Sequence, residues 1–246
     1  MARQCLFCPN PVNSKEHVFP DWLLKDLKLV TALKITIGRK PSVFLATPEV
    51  EVRSVCRPCN SGWMSRLENE NKPAIRAMIN DDPYWLTEKT QTSLCRWAVM
   101  KAMVIESANR QRDLFYDSGE RNEIKSSTIP TGTLAWLGRL SAKAFHAGGT
   151  DIWGDVERIP KGFHGSVTTI IMGHFVIQVL SGHTLPQFGQ TALRINPKDG
   201  AWNVTLLDIW PTARGLQWPP DVSFGLGKQN SIRTLIDRWK IGTNLA

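Results

Sequence analysis

No apolar run in this chain of 246 residues approaches the length of a membrane span. The longest candidate, 167–180, is interrupted by Thr168, Gly173, His174 and Gln178. The opening Met1-Ala-Arg-Gln-Cys5 lacks the apolar core of a signal peptide, so a cytoplasmic, reducing compartment is expected. Internal repeats and low-complexity segments are absent. Cysteine is scarce: there are five, and four of them form two Cys-x2-Cys pairs, Cys5/Cys8 and Cys56/Cys59. A secreted disulfide protein of this size would scatter its cysteines more widely. Acidic residues are outnumbered, 22 against 30 basic ones, for a net charge of +8. Such an excess favours a polyanionic partner such as nucleic acid, although it also serves solubility. The hydrophobic content of 42% supports a buried core in one large domain or two small ones.

Each Cys-x2-Cys pair is a short knuckle whose two thiolates reach one metal ion, and four sulfurs complete a closed tetrahedral zinc site. A closed site leaves no coordination position for substrate, so this zinc holds the fold. Chemistry then falls to what the knuckles position, namely Glu16-His17 and Asn60. An imidazole has the right pKa to take a proton from water, so His17 is a candidate general base; the alternative is a strand histidine satisfied by a backbone carbonyl. Glu16 is a candidate ligand for Mg²⁺ or another hard divalent ion, or a surface glutamate paired with Lys15. Asn60 offers a hard amide oxygen to the same ion, or caps the helix that follows.

The order Cys5-Leu-Phe-Cys8, Glu16-His17-Val18-Phe19-Pro20, Cys56-Arg-Pro-Cys59-Asn60 resembles the HNH endonuclease family in its four-cysteine form, over residues 5–70. The resemblance implies a ββα-metal core stapled by structural zinc. It implies that His17 is the general base and that Glu16 and Asn60 hold the catalytic divalent ion. It also implies a phosphodiester hydrolase cutting DNA, of the kind met in phage genomes, mobile elements and bacterial defence. The family usually carries Asp where Glu16 stands. Its middle Asn, which orients the histidine, has no counterpart in 49–55, where Glu51 or Arg53 could substitute. A catalytically silent zinc-knuckle module that binds nucleic acid or protein is the alternative. Arg53, Arg57 and Arg66 are the candidate phosphate contacts, and Glu68 is either a further ligand or a charge near the helix start.

The expected fold class is α+β, with an HNH-like ββα module over 1–75 and a mixed helix/strand domain over 76–246. The second domain is available for substrate choice, a protein partner or a second copy of the chain. Helices are expected at 21–27 with Asp21 as cap, from Asn60 onward with Trp63, Met64 and Leu67 on one face, at 87–108 capped by Thr87 or Thr90, and at 231–240. Strands are expected at 34–37, 50–53, 133–140, 166–180 and 202–210, with Gly148-Gly149 among the breaks between them. The segment 109–124 reads as a loop or short helix with a turn at 117–119. Cys95 reads as buried and inert, and the histidines at 146, 164, 174 and 183 as structural or surface residues. Most of the ten tryptophans read as core.

Overall fold

A computed structural model describes residues 3–27, 31–32, 42–45, 48–108, 113–153, 164–183, 206–212 and 214–225. The expected strand at 34–37, the first half of that at 202–210 and the helix at 231–240 lie outside the described residues. Helices and small sheets are mixed. In chain order the elements are β1 (Gln4–Cys5), β2 (Cys8–Pro11), β3 (Glu16–His17), α1 (Asp21–Asp26), β4 (Thr31–Ala32), β5 (Ser42–Leu45), β6 (Glu51–Val52), α2 (Arg57–Cys59), a π turn (Asn60–Met64) and α3 (Ser65–Asn80). There follow β7 (Tyr84–Leu86), α4 (Glu88–Glu106), α5 (Ser118–Lys125), β8 (Thr133–Trp153), β9 (His164–His183), β10 (Leu207–Trp210) and β11 (Leu216–Trp218).

The N-terminal region is built from two small antiparallel pairs and a long interrupted helix. Strands β1 and β2 form a hairpin with Cys5 opposite Cys8. Strand β3 pairs with β6, Glu16 opposite Val52 and His17 opposite Glu51. The strand expected at 50–53 is thus shortened to 51–52, and its partner is the Glu-His dipeptide. Helix α1 forms where expected, but its N-cap is Pro20, and Asp21 makes no capping bond. The helix after the second knuckle starts at Arg57, earlier than the pattern suggests, with Cys56 at its N-cap. It passes through the π turn, where Gly62 leaves helical geometry (φ −92°, ψ −110°), before continuing as α3. Glycine's missing Cβ makes that kink inexpensive.

The centre of the molecule is α4. Thr87 caps it by accepting from the Thr90 N–H, and every residue from Trp97 to Glu106 is buried. A helix buried on all sides needs cover on all sides, and α4 packs against α3, α5, β5, β8, β9 and β10. The cover is mainly the antiparallel ribbon of β8 and β9, with β4, β5 and β10 added along β8. Strand β8 runs far past the expected end at residue 140. Gly148 and Gly149 do not break it; they pair with Thr169 and Thr168 inside the ribbon. The register shifts between Arg139 and Ala144, opposite Gly173. Gly173 has φ +61°, and a Cβ there would lie 2.4 Å from the Ile79 carbonyl oxygen at the end of α3. A bulge facing a left-handed glycine turns a ribbon sharply.

One apolar cluster joins Phe7, Val18, Leu23 and Val52 from the N-terminal elements to Trp97, Phe145, Ile177 and Trp218. Phe19 meets Phe145 edge to face at 5.7 Å, linking the β3–α1 turn to β8. The domain boundary expected near residue 75 falls inside α3. Arg139 at the ribbon's bulge grips Asp81, just past α3, through two hydrogen bonds of 2.8 and 2.5 Å. The stretch 117–119 begins α5, where Asp117 and Glu120 form a reciprocal capping box. Among the described residues no helix is long and apolar enough to cross a membrane.

Candidate functional site

The two knuckles meet. The Sγ atoms of Cys5, Cys8, Cys56 and Cys59 all lie within 4.8 Å of one another. Cys8 is 3.4 Å from Cys56 and 3.6 Å from Cys59, sulfur to sulfur. Four thiolates around one zinc sit about 3.8 Å apart, from a Zn–S bond of about 2.3 Å and tetrahedral angles. The cluster therefore fits a structural metal ion. The hairpin presents Cys5 and Cys8, while the N-terminus of α2 presents Cys56 and Cys59. All four are free thiols, three of them buried. Burial pushes the Cys5 and Cys59 thiols up. Burial also acts to raise Cys56, but the Cys59 N–H and the neighbouring thiols outweigh it and bring Cys56 down to about 7. A divalent cation would favour the thiolate form at all four positions.

Loop residues between β2 and β3 fasten this cluster to the adjoining site. The Asn13 side chain accepts the Arg57 N–H at 2.7 Å, satisfying the first turn of α2. Ser14 Oγ accepts from Asn60 Nδ2 at 2.9 Å. Asn60 is not an N-cap: it has helical dihedrals at the junction of α2 and the π turn, and its N–H donates to the Cys56 carbonyl at 3.0 Å. With its amide nitrogen held by Ser14, its carbonyl oxygen is the donor left for a hard cation.

His17 lies one strand-pair across from Glu51. Its Nε2 is 3.4 Å from Glu51 Oε1 and 4.0 Å from Asp21 Oδ1. The other nitrogen, Nδ1, is enclosed and has no hydrogen-bond partner. With 38% of the side chain exposed, Nε2 is the nitrogen that solvent can meet. Glu51 also faces Lys15 Nζ at 3.7 Å. The backbone of Glu16 pairs with Val52 in uninterrupted register.

Glu51, expected as one of two substitutes for an orienting Asn, is thus brought to His17, and Arg53 is not. Asp21 was readable only as a helix cap; the turn at Pro20 carries it back to the imidazole. Glu68 pairs with Lys101 of α4, and that lysine is fully buried. Arg53, Arg57 and Arg66 are exposed, Arg57 in the second knuckle and Arg66 on α3. Trp63 is half-buried against Phe7, ring centroids 5.0 Å apart at 88°. Trp22 lies beneath Lys72 and Arg76, 5.4 and 5.6 Å from its ring centroid. Cys95 is buried, which pushes its thiol up and leaves it inert. His174 bonds to the Leu140 carbonyl and His183 to Glu120, both structural contacts.

No family model, curated protein or solved structure matches the chain.

Proposed function

We propose that the protein is a metal-dependent endonuclease of HNH type that hydrolyses DNA phosphodiester bonds. The observation that carries this reading is the placement of His17. It sits partly exposed on the β3–β6 pair, which leads through the second knuckle into the helix over 57–80, with a carboxylate 3.4 Å from Nε2. A cysteine pair, two paired strands, a second cysteine pair and a helix, in that order, are what an HNH-like ββα module needs. In this reading Nε2 of His17 takes a proton from the attacking water. The Glu51 and Asp21 carboxylates then stabilise the imidazolium as it forms. Asn60, steadied by Ser14, and Glu16 would hold a Mg²⁺ or similar ion, which supplies positive charge for the leaving 3′ oxygen. The net charge of +8 suits a polyanionic substrate.

One observation favours a second reading, a zinc-knuckle module that binds without cutting. The carboxylates beside Nε2 also describe an ion cluster that merely ties β3 to β6 and α1. Incubation of supercoiled plasmid with purified protein and Mg²⁺ separates the two. Nicking that disappears in His17→Ala, with that variant keeping its zinc, supports the nuclease. An inactive parent, or a His17→Ala variant that cuts at the parent rate, overturns it.

A further inference from the structure

A cleft of about 220 Å³ lies between β6 and the C-terminal end of α4. Its walls include Arg3, Glu51, Arg53 and Ser107. Arg3 precedes β1, and its carbonyl is fixed by the Val12 N–H at 2.8 Å. Its guanidinium reaches across to the Arg53 carbonyl, with Nη1 donating at 3.2 Å. One of its five N–H groups is used in this way, and the rest remain for an acceptor. Among the described residues no carboxylate pairs with Arg3 or Arg53. Glu51 is the one carboxylate in the wall, and Lys15 lies 3.7 Å from it. Two guanidiniums and one offset carboxylate give the cleft positive charge. The partial negative charge of the α4 C-terminus reduces that charge without cancelling it.

Size narrows the ligand. Sites for whole small molecules run from about 300 Å³ upward, so this cleft fits a phosphate and its sugar better than a complete nucleotide. Position narrows it further, because Glu51 belongs both to the cleft wall and to the His17 pair. We infer that the cleft receives a backbone phosphate of duplex DNA next to the one under attack. Arg3 and Arg53 are then positioning residues that set where the strand crosses His17. This inference rests on the nuclease reading for the choice of DNA.

The test measures binding of a fluorescent duplex over a salt series in the His17→Ala background, so that nothing is cut. Combining Arg3→Ala with Arg53→Ala should weaken binding and reduce the slope of log K against log salt by about one. Arg3→Lys with Arg53→Lys should restore the slope. In the otherwise unaltered protein, the double alanine variant should raise the KM for nicking more than it lowers kcat. An unchanged slope overturns the inference. So does a fall in melting temperature with unchanged binding, since the arginines would then only complement the helix end. DNA cut at the parent KM by the double variant sinks the cleft and leaves the nuclease standing. DNA bound with the expected slope but never cut by the parent does the reverse.

Discussion

The imidazoles of His164 and His183 lie 6.0 Å apart, centroid to centroid, although they are the first and last residues of one 20-residue strand. Drawn straight, that strand would span about 63 Å at roughly 3.3 Å per residue. Strand β9 therefore curls back on itself, and the ring of Phe115 closes the gap, stacked on His183 at 4.1 Å and edge-on to His164 at 5.0 Å.

The curl depends on Gly173. With its left-handed φ, and with a Cβ there lying only 2.4 Å from the Ile79 carbonyl oxygen, the position has no room for a side chain. Gly173→Ala should destabilise the fold by about 1–3 kcal/mol from backbone strain, with more if α3 shifts. Thermal melting reads the loss. An unchanged melting temperature would mean that the ribbon bends elsewhere.

Zinc removal should unfold the N-terminal region, because a closed site's binding energy is folding energy. Protein purified without chelator should carry one zinc per chain by elemental analysis. A strong chelator should expose all four thiols to a thiol reagent while Cys95 stays protected until global unfolding. Protein that is zinc-free and folded would refute this.

Glu68→Ala should cost about 3–5 kcal/mol, since it strands the ammonium of Lys101, which is fully buried. The loss should appear in melts with and without Mg²⁺. A loss confined to Mg²⁺-containing buffer would instead restore Glu68 as a metal ligand.

Asn60→Ala should raise the Mg²⁺ concentration needed for half-maximal nicking. It should also cost about 1 kcal/mol through the lost bond to Ser14. Ser14→Ala separates the effects, because it removes the same hydrogen bond and keeps the amide oxygen. It should reproduce the stability loss with a smaller change in Mg²⁺ requirement. Unaltered metal dependence in Asn60→Ala would show that the ion is held without it.

What was legible in the sequence was what is local. A Cys-x2-Cys spacing states its own geometry, so the four-sulfur cluster could be read before any fold. Helix α4 was legible from its length and its Thr87 cap. Contacts between distant residues were not. Nothing near Glu68 points to Lys101, 33 positions away. Gly148-Gly149 misled because glycine marks both a chain break and a tight ribbon, and only the pairing partners at Thr168 and Thr169 distinguish the two. Asn60 was expected to open the helix, but the helix had already begun at Arg57.

A helix enclosed by a curled ribbon has a kinetic consequence. The amides of the buried half of α4, 97–106, can meet solvent only when the elements around them part, so their deuterium uptake reports the opening of the whole molecule. The amides of β1, β2, β3 and β6 should answer to a different event, the release of zinc, because those strands are only two to four residues long and too short to persist as isolated pairs. Heavy-water exchange at two zinc concentrations would shift one population of amides and leave the other in place. Metal scarcity would then dismantle the candidate site while the enclosed core persists, leaving a folded chain that recovers the site when metal returns.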